Sequence, residues 1–328
     1  MFRRHVAVLR QSLSPSPKLA LPLVLLLVAW VQPSHAAPVC PPAPAALGAS
    51  EAARLASQAK DRGLLWRLRR DGRESYLFGS LHVGRLAWSF PGPRLRAALQ
   101  ASEVLALELD LDDPATRRVL TAAPTHAEPL VLDRGLQARL DAQATATCLP
   151  PQALASLHPL MQLSTYTVLM ARHDGLDPEW GQEAMLARWA REQRRPLVAL
   201  EDPEEQLRAL IPARASEART ELDEGLRLLE RGQVRPVVRR LAEAWARGDL
   251  RELADYARWC RCADTEADRA ALRRLNDERN PALAERITRL HAGGQTVFVA
   301  VGALHMSGPQ ALPRLLQEKG FELEQLLP

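Results

Sequence analysis

The stretch Tyr76-Leu77-Phe78-Gly79-Ser80-Leu81-His82-Val83-Gly84 decides the reading of this 328-residue chain, because an altered copy stands near the other end as Val297-Phe298-Val299-Ala300-Val301-Gly302-Ala303-Leu304-His305. Each is a short apolar run that stops at a glycine, with a histidine three residues later. Short apolar runs bounded by glycine read as buried strands, and an open α/β sheet binds its ligands just past the carboxyl ends of its strands. The chain holds 17 Gly and 8 His, so one Gly-x-x-His carries little weight. Two of them, each directly after a strand-like run, point to His82 and His305 as a pair.

Outward from the first copy, Leu64 to Leu68 and Ser75 to Phe78 flank Asp71-Gly72, a turn pair that predicts a β-hairpin. A helix from Pro93 through Leu95, Ala98 and Leu99 and a strand from Glu103 to Leu111 follow. The second copy repeats this grammar, with a helix through Leu312, Leu315 and Leu316 closed by Gly320 and a last strand near Phe321 to Leu323. The expected fold is therefore α/β, a central mostly parallel sheet built from two strand-helix-strand units. A large helical insertion, approximately 112–276, separates them and includes one buried strand, Pro196 to Leu200, with Glu201 at its end. Helices are expected at Gln152 to Ala171, Ser216 to Arg231, Val234 to Arg247 and Leu250 to Cys260.

Residues 1–36 carry Arg3, Arg4, Arg10 and Lys18 ahead of the apolar run Leu19 to Val31, then Ser34-His35-Ala36 at the cleavage positions. This is the pattern of a signal peptide, which implies an exported, periplasmic or secreted protein with no stable membrane span after cleavage. Residues 37–50, rich in Pro and Ala, read as a flexible segment, and 51–328 as a single domain. The leader holds four of the 43 Lys and Arg, so the remaining 39 balance 39 Asp and Glu, and the basic surplus that a nucleic-acid partner requires is absent. Four cysteines in an exported chain suggest two disulfides. Cys260 and Cys262 are too close in sequence to pair easily with each other, so each is expected to join Cys40 or Cys148.

If the strands are parallel, His82, Glu108, Glu201 and His305 reach one edge of the sheet. Two imidazoles with one or two carboxylates make an open metal site, whose ion acidifies a bound water and polarises a carbonyl. Gly79 and Gly302 let a substrate or metal approach the backbone. A glutamate within the apolar run Val104 to Leu109 needs a partner, since an unpaired buried carboxylate is costly. His158, His173 and His291 read as ordinary residues.

These residues resemble the TraB/GumN family, whose animal relatives are the Tiki-type metalloproteases. The resemblance rests on Gly79 with His82, Gly302 with His305, and Glu108. It extends to Gly175-Leu176-Asp177, Leu200-Glu201 with Gln206, Ala244-Trp245-Ala246-Arg247-Gly248-Asp249 and Glu278-Arg279-Asn280. It implies a core similar to the erythromycin-esterase and ChaN-like group and a divalent-metal-dependent hydrolase, above all a peptidase. His82, Glu108 and His305 would hold Mn²⁺, Co²⁺ or Zn²⁺, Glu201 would be a fourth ligand or the general base, and Arg279 would stabilise developing negative charge. The partner is then a peptide or small-molecule substrate. Two other expectations use the same cleft: sequestration of a peptide, haem or metal without catalysis, and a metal-independent esterase with a histidine base.

Overall fold

The computed structural model describes residues 39–327. The signal-peptide reading of residues 1–36 falls outside them. From Val39 to Gly48 the chain has no helix or strand, and α1 follows at Ala49–Ser57. The hairpin forms as the sequence predicts, from β1 (Leu64–Arg70) and β2 (Arg73–Ser80), with Arg70 paired to Arg73. Asp71 and Gly72 between them both adopt positive φ, the conformation that matches a two-residue turn to the twist of its strands.

α2 (Pro93–Ala101) leads to β3 (Val104–Leu107), which is shorter than the predicted Glu103 to Leu111. Hydrogen bonding with the next strand continues beyond it: Leu200 N–H donates to Leu107 O and Glu201 N–H to Glu108 O, at 2.7 and 3.0 Å. Glu108 thus lies past the end of the strand. The helical middle comprises α3 (Pro114–Thr121), α4 (Arg134–Ala146), α5 (Pro159–Met170) and α6 (Gln182–Glu192), then β4 (Leu197–Ala199). It resumes with α7 (Pro203–Leu210), α8 (Ala215–Glu230), α9 (Val234–Arg247), α10 (Leu250–Ala254), α11 (Tyr256–Trp259) and α12 (Glu266–Leu272). A π-helical turn, Arg273–Asp277, connects to α13 (Asn280–Ala292), then β5 (Val297–Gly302), α14 (Leu312–Glu318) and β6 (Glu322–Leu327).

The six strands form one sheet in the order β4-β3-β5-β2-β1-β6. β2, β3, β4 and β5 run parallel. β1 is antiparallel to both of its neighbours, so β6 runs with the majority. The two predicted units are real, but they leave adjacent strands in opposite directions: β2 crosses past β5 to reach β3, whereas β5 crosses past β2 and β1 to reach β6. Such a reversal marks the place where open α/β sheets form their binding crevice.

The core is built on the central strands. Leu77, Phe78, Phe298, Val299 and Ala300 are fully buried, and Trp245 from α9 packs edge-on to Phe78 and donates from Nε1 to Gly79 O at 2.7 Å. A second cluster, with Leu140, Tyr166, Leu222 and Leu226, joins α4, α5 and α8. Each fully buried leucine of this kind contributes roughly 1.5–3 kcal/mol relative to exposure.

The disulfide expectation is corrected. Cys40 pairs with Cys148, and Cys260 pairs with Cys262. The second bond is feasible because Arg261 takes a left-handed conformation, φ 55°, which folds the two Cα atoms to 5.1 Å, inside the range a disulfide needs.

Candidate functional site

Parallel pairing sets Gly79 opposite Val301 and Ser80 opposite Gly302, so the two glycine–histidine turns emerge side by side. β3 and β4 deliver Glu108 and Glu201 to the same edge. The four predicted strand-end residues therefore gather at one end of the sheet, and Arg279 joins them from the turn preceding α13.

Arg279 is the hub of this group. Its Nη2 donates to Glu108 Oε2 at 2.6 Å and also to Glu201 Oε2, its Nε donates to Glu201 Oε1 at 2.9 Å, and its Nη1 lies 3.3 Å from His305 Nε2. Gln206 Nε2 bridges the two carboxylates, donating to Glu108 Oε2 at 3.1 Å and Glu201 Oε2 at 3.0 Å. Glu108 Oε1 accepts from Gly302 N–H at 2.7 Å. A Cβ on Gly302 would stand 3.4 Å from the same oxygen, an ordinary contact, so the bond is made by the backbone N–H and does not itself require glycine. Gly79 serves packing: a Cβ on it would press on Met306 and Ala303 in the turn that carries His305.

His305 is buried, and its Nδ1 lies 2.6 Å from Asn280 Oδ1. The amide nitrogen of Asn280 is committed to His305 O and Gln310 O, so its oxygen is the atom offered to the ring. Nδ1 must then carry the proton, and the lone pair of Nε2 faces the Arg279 Nη1 donor. Burial lowers the pKa of His305 to about 4, outweighing the attraction of Glu108. Burial by itself would raise Glu108, but its positive neighbours and the Gly302 N–H bring it down to about 2. With His305 neutral above pH 4, the charge that keeps Glu108 ionised near neutrality is chiefly that of Arg279.

His82 differs from His305, for its side chain is 66% exposed. Its Nδ1 lies 3.3 Å from Glu183 Oε1, and that carboxylate raises the pKa of His82 to about 9, a pairing that solvent partly screens. Burial would raise Glu183 in turn, but His82 and the Ser80 hydroxyl, which donates to Oε1 at 2.5 Å, hold it down. Its other oxygen, Oε2, is buried without a hydrogen-bond partner. Glu183 reaches His82 because the start of α6 docks on the histidine turn: Gln182 N–H donates to Leu81 O at 2.8 Å, and Gly84 bridges to Asp177. His82, Glu108, Glu183 and Gln206 line one cavity of about 180 Å³, walled by Leu109 and Ala187.

Glu183 was not among the residues predicted from sequence. It sits in the first turn of an amphipathic helix, where a glutamate is ordinary, and its role follows only from the docking of two distant segments. Asn280 was visible as part of a motif, without a function. His158, His173 and His291 lie away from this cluster. His291 is buried between Ser75 and Arg70 O and completes a structural hydrogen-bond chain.

The family model described as the TraB/PrgY/gumN family matches residues 64–325. The chain belongs to that family. It is also similar to an uncharacterized protein, YbaP of Shigella flexneri, with 26% identity over 255 residues covering 75% of this chain and 88% of that one. No solved structure matches. The matched span includes every residue of the strand-end cluster, from His82 to His305.

The donor set of this TraB/PrgY/gumN member is mixed toward a divalent ion: His305 is a neutral imidazole with its tautomer fixed and Glu183 has an unpartnered oxygen, but Glu183 raises the pKa of His82 to about 9, so that ring must give up a proton before it can ligate. In this arrangement, however, Arg279 serves as the counter-ion of both Glu108 and Glu201. Among the described residues, no three His, Cys, Asp or Glu side chains converge as metal ligands.

Proposed function

We propose that this protein is an exported, divalent-metal-dependent hydrolase acting on peptide bonds, with a core of the erythromycin-esterase and ChaN-like kind. The observation that carries the proposal is the state of His305: neutral, with Nδ1–H given to Asn280 and Nε2 facing Arg279, the arginine that pairs with two buried carboxylates. A histidine prepared in this way is a ligand or a base, and family membership supports the metal. His82, Glu108 and His305 would hold Mn²⁺, Co²⁺ or Zn²⁺, with Glu201 as fourth ligand or general base. An ion held there would acidify a water and polarise the carbonyl. Gln206 and Gly302 N–H orient Glu108, and the fork of Arg279 offers donors to negative charge developing on the carbonyl oxygen. The two disulfides are compatible with an oxidising compartment.

Bound Mn, Co and Zn measured by mass spectrometry in wild type, His82→Ala and His305→Ala, beside cleavage of a mixed peptide library, tests this. Loss of metal and cleavage together in both variants is expected. Unchanged metal content in both would sink the metal site.

One observation favours a second reading, in which His82 acts directly as a general base on water: the His82–Glu183 pair resembles the carboxylate-oriented histidine of hydrolytic triads. Hydrolysis that survives exhaustive chelation and climbs with pH until His82 loses its proton near 9 would select it.

A further inference from the structure

A cavity of about 520 Å³ lies in the helical middle, and none of the residues that line it belongs to the strand-end cluster. Its volume falls in the range of ligand sites. Its lining is mixed: leucines, among them Leu160, Leu163 and Leu228, supply apolar surface, Glu221 and Asp268 are among its charged residues, and Cys262 lines it too. Cys260, the other half of the disulfide, is buried and does not line the cavity.

We propose that Cys260–Cys262 is a thiol–disulfide exchange site and that this cavity receives the cysteine-bearing segment of a peptide substrate. The two sulfurs are unequal. Cys262 is the accessible one, whereas Cys260 Sγ accepts a hydrogen bond from Cys262 N–H at 3.0 Å. That bond stabilises negative charge on Cys260 as the sulfur leaves. Cys262 is thus the sulfur to be attacked and Cys260 the leaving group. The intervening Arg261 bears a side chain at φ 55°, a left-handed conformation unfavourable for a residue with a Cβ, and opening the ring frees the backbone to leave it.

The chemistry balances. A peptide thiol loses its proton to water, and the thiolate attacks Cys262 Sγ. The Cys260–Cys262 bond breaks, and Cys260 Sγ departs with the electron pair and takes up a proton. A second thiol of the peptide then attacks its own sulfur in the mixed disulfide, which releases an oxidised peptide and leaves a Cys260/Cys262 dithiol. A small-molecule disulfide, such as oxidised glutathione, restores the protein by the reverse exchange and leaves as two thiols. The net reaction is one peptide dithiol plus one small disulfide giving one peptide disulfide plus two small thiols.

The test exposes the folded, oxidised protein to stepped ratios of reduced and oxidised glutathione, quenches with acid, alkylates and maps the peptides, with circular dichroism on each sample. Cys260–Cys262 is expected to open while Cys40–Cys148 and the fold persist. In Cys260→Ser the remaining Cys262 should carry glutathione, and in Cys262→Ser the remaining Cys260 should stay bare. A reduced two-cysteine peptide with flanking leucines should be oxidised by oxidised glutathione at least roughly tenfold faster with wild type than with Cys262→Ser. Opening of both disulfides together with unfolding, or an adduct on Cys260, would overturn the exchange site. Glutathione exchange without acceleration of the peptide would overturn the peptide as occupant.

Discussion

Arg279 holds together two carboxylates that could not otherwise share a buried site. Its side chain is 15% exposed, and those of Glu108 and Glu201 are 11% and 3% exposed, so little water is available to replace it. Removing one partner of a buried charge cluster is more costly than the cluster was worth, because the charges left behind are unpaired. Arg279→Ala should lower stability by about 3–5 kcal/mol in urea unfolding at pH 7 and raise the pKa of Glu108 well above 2. Adding Glu201→Gln to Arg279→Ala should recover part of the loss. A single-variant cost below about 1 kcal/mol would show that the guanidinium is dispensable, and the cluster would then be better read as a cation site that Arg279 merely borders.

At the scale of elements, the site depends on how closely α6 approaches the turn after β2. A Cβ on Gly181 would lie 2.4 Å from His82 O and 2.8 Å from His82 C, contacts with backbone that cannot be moved by a side-chain rotation. Gly181→Ala should therefore push the start of α6 away from the histidine turn, at a cost of about 1–3 kcal/mol. Glu183 would be carried off His82, whose pKa, followed by NMR titration, should fall from about 9 toward 6.5. An unchanged titration would mean that Glu183 does not govern His82. Elements defined by local chemistry were legible in the sequence: the hairpin from Asp71-Gly72, β4 from its apolar run, and α9 from its amphipathic period. The docking of α6 was not, because Gly181 in sequence is only a helix start, and its steric role depends on residues some hundred positions away. The Cys260–Cys262 bond escaped for a similar reason, since the left-handed turn at Arg261 that closes it has no signature in an arginine.

At the scale of the whole molecule, three strongly shifted groups, His82, His305 and Glu108, share one sheet edge, so stability should follow pH through the two histidines in opposite senses. The pKa of His305 is depressed to about 4, and the unfolded chain binds that proton near 6.5. Its contribution is complete above pH 6.5 and is lost as pH falls toward 4, a change on the order of 3 kcal/mol for so buried a ring. Glu108, ordinarily near 4.5 and held at about 2, extends the acid loss, since its contribution is complete above 4.5 and fades below it. His82 is raised to about 9, so its contribution is complete below 6.5 and declines as pH rises through 9, with a smaller amplitude because the ring is exposed. Thermal unfolding across pH 3–10 should accordingly show a maximum near pH 6.5, with an acid flank steeper than the alkaline one. His305→Gln should flatten the stretch between pH 4 and 6.5 and leave the alkaline flank in place. His82→Gln should do the reverse. A histidine variant that shifts the whole curve without changing either slope would mean that the partners described for it do not set its protonation, and the distinction between a neutral His305 and a charged His82 would fail with it.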